Sequence, residues 1–472
     1  MNRNTFSRRA FLKYAGLSTA GLALGACTPP ATEAPTAAPA TNAPAATAVP
    51  AATAVPATEA PTAVPLPSGE IDWWTVGGAD VGDEATQRAW LDYYHTTEVG
   101  QRVKVNATFL PDDGFSEKMT TVLGTGSGVP DVSTFWSADW FPQAEDLRAF
   151  IERDGLDIGM YSKVHFDSRC RYGEQIIGLP IGVGATMYFY NQDLFAAKGL
   201  KTPEWGYTMQ QWLEDAVALT NRDQKIFGAA MPTRVWRAEF FAFGARPFDN
   251  DGKVVDGFMN GPETVAAFEF MWDLARSGAV PTFSEFQALS TEGTGPIDLF
   301  MTGRLGFAGL NNGQFGRVDE SGVKFGLVHN PKVDGQDVIT NGWTLQLGIP
   351  KASQKKDAAW EWLKWMTGMD GQGFLQAQNK GYTANIPALW PDHPAQDDPR
   401  VQFFFEILKT PQVWEFSGRF PYFSKVTRLN QDLYDRIYLG DIERDQIKTE
   451  LDNTVATAQE IVDTERKALG LS

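Results

Sequence analysis

Four stretches of this chain put tryptophan where an extended run meets a loop. Trp73 and Trp74 lie in the run Ile71 to Val76, and strand alternation sends only one of the pair to a given face. Trp136, Asp139 and Trp140 follow Val132 to Phe135, and Trp236 and Arg237 follow Ile226 to Met231. Gly342 and Trp343 open a further run. An indole is a flat apolar plate that covers the C–H face of a pyranose, and planar polar groups beside it read the hydroxyls. Asn311 and Asn312, which follow Leu305 to Gly309, add such groups. Arg237 suits the hydroxyls of a neutral sugar or an acidic substituent, and the residues alone leave both open.

Tryptophan also fills cores, and all 15 copies lie after residue 69. In Ala358 to Met366 the residues Ala358, Ala359, Trp362, Leu363, Trp365 and Met366 share one helical face, which makes Trp362 and Trp365 core. Trp272 joins Val265, Phe268 and Ala275 at the same spacing, in a helix opened by Pro262 and stopped near Gly278.

Other chemistry has little to stand on. His95, His165, His329 and His393 are scattered with no paired ligand spacing, so neither a metal site nor a cofactor is expected. No G-x-S-x-G elbow or Gly-Lys-Ser/Thr loop occurs. Gly124-Thr125-Gly126-Ser127-Gly128 follows a helical stretch rather than a strand, so it reads as a helix stop. A glycoside hydrolase would share the tryptophan platforms but needs two facing carboxylates, and no motif selects a pair. A peptide or polyamine binder is a further alternative; a polyamine site would add cleft acids to the same aromatics.

The first residues carry an address. Ser7-Arg8-Arg9-Ala10-Phe11-Leu12-Lys13 is a twin-arginine pattern, followed by a short apolar run and Leu24-Gly25-Ala26-Cys27, which resembles a lipobox. Residues 1–26 are therefore expected to be a removed signal peptide, with Cys27 lipidated as a membrane anchor. Residues 27–69 are nearly all Ala, Pro and Thr with no aromatic residue, too poor in apolar surface to offset ordering entropy, and read as a semi-extended tether. Removing Met1 to Ala26 takes away Arg3, Arg8, Arg9 and Lys13 and no acid, so the net charge of −17 becomes −21. The acids are scattered and no basic stripe is visible, so nucleic acid is not an expected partner. With Cys27 acylated, Cys170 is the sole thiol and reads as buried filler.

Short β-type runs alternate with helical ones, which indicates an α/β chain with mostly parallel sheets. Ser116 to Leu123 reads as a helix with Ser116 as its N-cap, Ala144 to Arg153 as another, and Asp193 to Lys198 as one stopped by Gly199. The order of motifs resembles the family-1 extracellular solute-binding proteins of ABC importers. The matching pieces are Ile-Asp-Trp-Trp (71–74), Phe-Ser-Glu-Lys-Met (115–119) and Gly-Ser-Gly-Val-Pro-Asp-Val (126–132). Gly-Leu-Pro-Ile-Gly (178–182), Met-Tyr-Phe-Tyr-Asn-Gln-Asp-Leu-Phe (187–195) and Phe-Met-Thr-Gly-Arg-Leu-Gly-Phe (300–307) follow, then Asn-Gly-Trp-Thr-Leu-Gln-Leu-Gly-Ile-Pro-Lys (341–351).

The resemblance implies a two-lobe periplasmic-binding-protein fold of type II, with a hinge and an interlobe ligand cleft. Lobe 1 would comprise 70–182 plus 310–367, and lobe 2 would comprise 183–309 plus 368–472. It also implies a monomer that captures a sugar or oligosaccharide and hands it to permease subunits. Tyr382 enters the candidate list because Gly-Tyr-Thr-Ala-Asn-Ile-Pro (381–387) resembles a family loop near the ligand. Twin-arginine export departs from the family's usual secretory route and bears on how the protein travels.

Overall fold

The computed structural model describes residues 66–76, 84–232, 234–289, 295–378, 382–411, 413 and 420–471. The expected signal peptide, Cys27 and the expected tether up to residue 65 lie outside the described residues. Seven strands build the main sheet: β1 Gly69–Val76, β2 Val103–Leu110, β3 Val132–Thr134, β4 Leu179–Asn191, β5 Phe307–Asn311, β6 Phe325–Val328 and β7 Gly342–Gly348. Their order is β2-β1-β3-β7-β4-β5, with β6 also paired to β4.

The sheet is mixed, which corrects the expectation of mostly parallel strands. β1 runs parallel to β2 and β3, but every pairing of β4 and β7 is antiparallel. The physical reason is β4, a strand of 13 residues that are all buried. Its first half, Leu179 to Ala185, pairs with β7 through a register shift between Ile181 and Gly184. Its second half, from Thr186, pairs with β5 and β6.

The same strand passes from one set of cores to another. Leu179 and Ile181 belong to a cluster with Ile71, Trp73, Trp90, Leu347 and Trp362, flanked by a smaller one around Phe115, Phe135 and Phe141. Met187 and Phe189 join Phe300 and Leu310, while Tyr188 and Tyr190 join Trp212, Phe240, Phe268 and Tyr434. Gly182 stands at the changeover with φ 64°, a left-handed conformation that glycine adopts without penalty. A Cβ there would meet the Tyr382 ring at 2.8 Å. Val318 and Phe325, from the stretch placed above in lobe 1, pack in the cluster of Met187. Leu375, Ile386 and Leu389, placed above in lobe 2, pack in the cluster of Trp73.

Several local expectations are met by cap geometry. The helix Asp112–Thr125 ends at Gly126 and the helix Gln192–Lys198 ends at Gly199, each glycine left-handed. Asn191 caps the second by accepting from the amides of Asp193 and Leu194. Ser116 is not a cap, because its helix already begins at Asp112; its Oγ accepts from Trp136 Nε1 at 3.1 Å instead.

The helix expected over 144–153 starts only at Arg148 and runs to Asp154; a 3₁₀ segment Ala138–Gln143 precedes it, with Ala144 bridged to Pro350 between them. Residues 226–231 contribute isolated bridges rather than a strand. In the helix Pro262–Arg276 the core face is Thr264, Ala267, Phe268, Met271 and Leu274, one position off the expected stripe. Trp272 is half-buried and donates from Nε1 to the Ile442 carbonyl at 2.8 Å. No helix among the described residues is long and apolar enough to cross a membrane.

Candidate functional site

A cavity of about 600 Å³ opens where residues of the two sets of cores face each other. One wall carries Ala138 and Phe141 from the 3₁₀ segment, with Ser168 and Arg169 from the end of the helix Lys163–Arg169. The opposite wall is built from Arg234 to Arg237, Asn341, Val413 and the stretch around Phe420, Phe423, Ser424, Thr427, Arg428 and Gln431. Phe141 belongs to a core of the first set, and Val235, Trp236, Val413 and Phe420 to one of the second.

The loop carrying Trp236 is held in place from below. Asn341 Oδ1 accepts from the Ala238 amide at 2.9 Å, and Gln431 Oε1 accepts from the Val235 amide at 3.3 Å. Trp236 Nε1 donates to Asn430 Oδ1 at 3.2 Å. Trp236 also has φ 57°, one of two described non-glycine residues with positive φ. An L-residue is held in that region only when its surroundings over-determine it, and such strain gathers at functional sites.

Four arginines line the cavity: Arg169, Arg234, Arg237 and Arg428. Burial pushes the Arg169 guanidinium down to about 10, and lowers Arg237 as well. For Arg237 the neighbouring Glu239 opposes that shift and the charge of Arg234 adds to it. Glu239 is buried and accepts from the Tyr188 hydroxyl at 2.8 Å. Both guanidiniums stay charged at neutral pH, so the cavity is electropositive in a chain whose net charge is −17.

A family model described as bacterial extracellular solute-binding protein matches residues 78–373, more than half of the chain. The chain belongs to that family. A maltotriose-binding protein of Pyrococcus abyssi is 22% identical to this solute-binding protein over 318 residues, 65% of each chain. A probable amino-acid ABC transporter periplasmic-binding protein of Sinorhizobium fredii is 26% identical over 275 residues, 54% of this chain and 60% of its own. The match therefore spans less than two thirds of either curated relative. Among solved structures, an ABC substrate-binding protein of Listeria monocytogenes in complex with cycloalternan superposes with a TM-score of 0.69 at 19% identity, covering 86% of this chain and all of that one. The fold is the two-lobe α/β type II fold of periplasmic binding proteins.

Of the side chains singled out from sequence, the solute-binding protein brings two to the cavity wall, Trp236 and Arg237. Asp139 and Trp140 share the 3₁₀ segment with the lining residues Ala138 and Phe141. Asp139 is exposed, 3.9 Å from Lys425, whereas Trp140 is buried and donates to Thr120 Oγ1 at 3.0 Å. Trp136 packs on Phe115 with centroids 4.6 Å apart, and Trp74 lies under Lys118 Nζ at 4.2 Å.

The rest work at the changeover strand. Asn311 accepts from the Gly313 amide, and Asn312 Oδ1 accepts from the Ala185 amide at 3.2 Å. Gly342 starts β7, and the Trp343 ring lies so close to Gly184 that a Cβ there would sit 2.3 Å away. Tyr382 is buried beside Gly182 and donates to Gln372 Oε1 at 3.1 Å. Gln372 Oε1 also accepts from the amides of Gly182 and Asn385, at 3.3 Å and 2.6 Å. These contacts clamp the changeover rather than line the cavity.

Arg169, Arg234, Arg428, Gln431, Phe420 and Phe423 have no place in the sequence-derived list. Only Arg234 has a local signal, standing two residues before Trp236. The others arrive from a helix end and from the 420–431 stretch, with no motif to mark them.

Proposed function

We propose that this protein captures a sugar or oligosaccharide in the 600 Å³ cavity and hands it to the permease of an ABC importer, without turnover. The observation that carries this reading is the cavity itself, with Trp236 and Phe423 beside planar amide and guanidinium groups. Two of the similar proteins, by their names, handle maltotriose and cycloalternan. The four arginines disfavour the polyamine alternative, because they would repel a cationic ligand.

The core clusters support a division into lobes different from the one the resemblance implies: 70–182 with 342–389, and 183–341 with 390–472. Gly182 and Asn341 then stand at crossings, where hinge bending would close the cavity on a ligand. Isothermal titration with a neutral and acidic oligosaccharide panel is expected to find a ligand at micromolar Kd, worth about −8 kcal/mol. Small-angle scattering should show the protein contract on binding. Cleaved product after incubation would move the reading to the hydrolase.

The same proposal extends to export and anchoring. With Arg8 and Arg9 both replaced by Lys, precursor is expected to accumulate in the cytoplasm. Cys27→Ser is expected to leave the protein without lipid. Membrane retention of the Cys27→Ser protein in a fractionation would remove the anchor from this account.

A further inference from the structure

The arginines that line the cavity answer the question that Arg237 leaves open in the sequence. They come from separate places: Arg169 from a helix end, Arg234 and Arg237 from the loop of Trp236, and Arg428 from the stretch after Phe420. Among the described lining residues there is no Asp or Glu. The side chains of Arg234 and Arg428 have no ion-pair or hydrogen-bond partner among the described residues, and both are exposed to the cavity solvent. Like charges gathered in one cavity repel, and Arg234 already disfavours the charge on Arg237.

Hydrogen-bond directions point the same way. A neutral sugar presents hydroxyls that donate as well as accept, so its site needs acceptors. Here the amide oxygens of the wall are engaged, Asn341 Oδ1 by the Ala238 amide and Gln431 Oε1 by the Val235 amide. Thr427 and Ser168 spend their hydroxyl hydrogens on the carbonyls of Phe423 and His165, which leaves their two oxygens as the acceptors of the wall. More numerous are the guanidinium N–H groups of Arg234 and Arg428, five donors per arginine in a planar fork, with no capacity to accept. A wall with more free donors than acceptors fits oxygens that only accept, and paired oxygens on one atom match the fork in a bidentate way.

We propose that the cavity selects an acidic saccharide, one carrying carboxylate, sulfate or phosphate oxygens, over its neutral counterpart. This rests on the saccharide reading above and names the class of sugar. The anionic groups meet Arg234 and Arg428, Arg169 and Arg237 act from the two walls, and the ring of Trp236 covers an apolar sugar face. Guanidiniums gathered in one cavity attract an anion by charge, so binding is sensitive to salt.

The test titrates the purified full-length protein with maltotriose, trigalacturonate and sulfated maltotriose, at low and at high sodium chloride. At least one acidic trisaccharide is expected to bind tenfold or more tightly than maltotriose, and to lose that advantage as salt rises. The carboxylate and sulfate arms tell which oxyanion is preferred. Arg428→Ala and Arg234→Ala are each expected to weaken the acidic ligand by tenfold or more with no change in melting temperature, since neither side chain has a partner to lose among the described residues. Arg428→Lys keeps the charge without the fork and should fall between. Maltotriose binding as tightly as both acidic sugars would overturn the proposal and leave the saccharide reading standing. Binding of an acidic peptide or free sulfate with none of the three sugars would overturn both. No binding of either acidic sugar at millimolar concentration also overturns the proposal.

Discussion

Trp362→Ala is expected to remove about 3–5 kcal/mol of folding stability, measured as a fall in the denaturant midpoint. Trp362 is fully buried on the helix Lys356–Thr367, at the centre of an aromatic cluster. Its ring lies 4.5 Å from Tyr94, 5.4 Å from Trp73, 5.5 Å from Trp365 and 5.7 Å from Trp90, measured between centroids. Truncation would open a cavity bounded by rigid rings that cannot collapse into it, which places the cost at the upper end of the range. Trp362→Phe should lose less than half as much. The indole Nε1 of Trp362 has no hydrogen-bond partner among the described residues, so replacing it gives up volume but no bond. A loss under 1 kcal/mol for Trp362→Ala would show that the cluster is not close-packed.

That core was legible because an amphipathic helix writes its buried face at a 3.6-residue period, and Trp362 sits in mid-stripe. The stops at Gly126 and Gly199 were legible for a similar reason, since a left-handed cap favours glycine wherever it occurs. Of the strand Leu179–Asn191, only Thr186 to Tyr190 reads as a strand from sequence. A strand buried on both faces has no alternation to read, and its pairing partners 307–311, 325–328 and 342–348 lie far along the chain. The antiparallel half of the sheet follows from those returns, which no local pattern encodes.

The site divides along the same line. Trp236 and Arg237 could be named because their types suit a ligand and they follow an extended run. Trp136, Trp140 and Trp343 have the same types and the same kind of position, yet their rings pack on Phe115, Phe135's cluster and Gly184. Residue type does not separate a plate that stacks on a ligand from one that stacks on a neighbour. Arg169 and Arg428 were invisible for the converse reason, because only the tertiary fold makes them converge.

Trp236 is expected to fail as a purely cleft residue, one whose loss spares stability, because it is both buried and on the cavity wall. Its exposure is 3%, it packs with Phe240 and Phe241, and its Nε1 is bonded to Asn430. Trp236→Ala should therefore cost about 3 kcal/mol or more of stability. It should also weaken ligand binding by about tenfold or more, if some 1.4 kcal/mol of stacking is lost. The left-handed φ of 57° supplies a second variant that separates the two roles. Trp236→Gly removes the same ring but fits that backbone, so it should be about 1 kcal/mol more stable than Trp236→Ala. Affinity should be equally poor in both, because neither carries a ring to cover the ligand. A glycine variant less stable than the alanine one would contradict the left-handed backbone. Unchanged affinity in both would take Trp236 out of the binding surface and leave the cavity to its arginines.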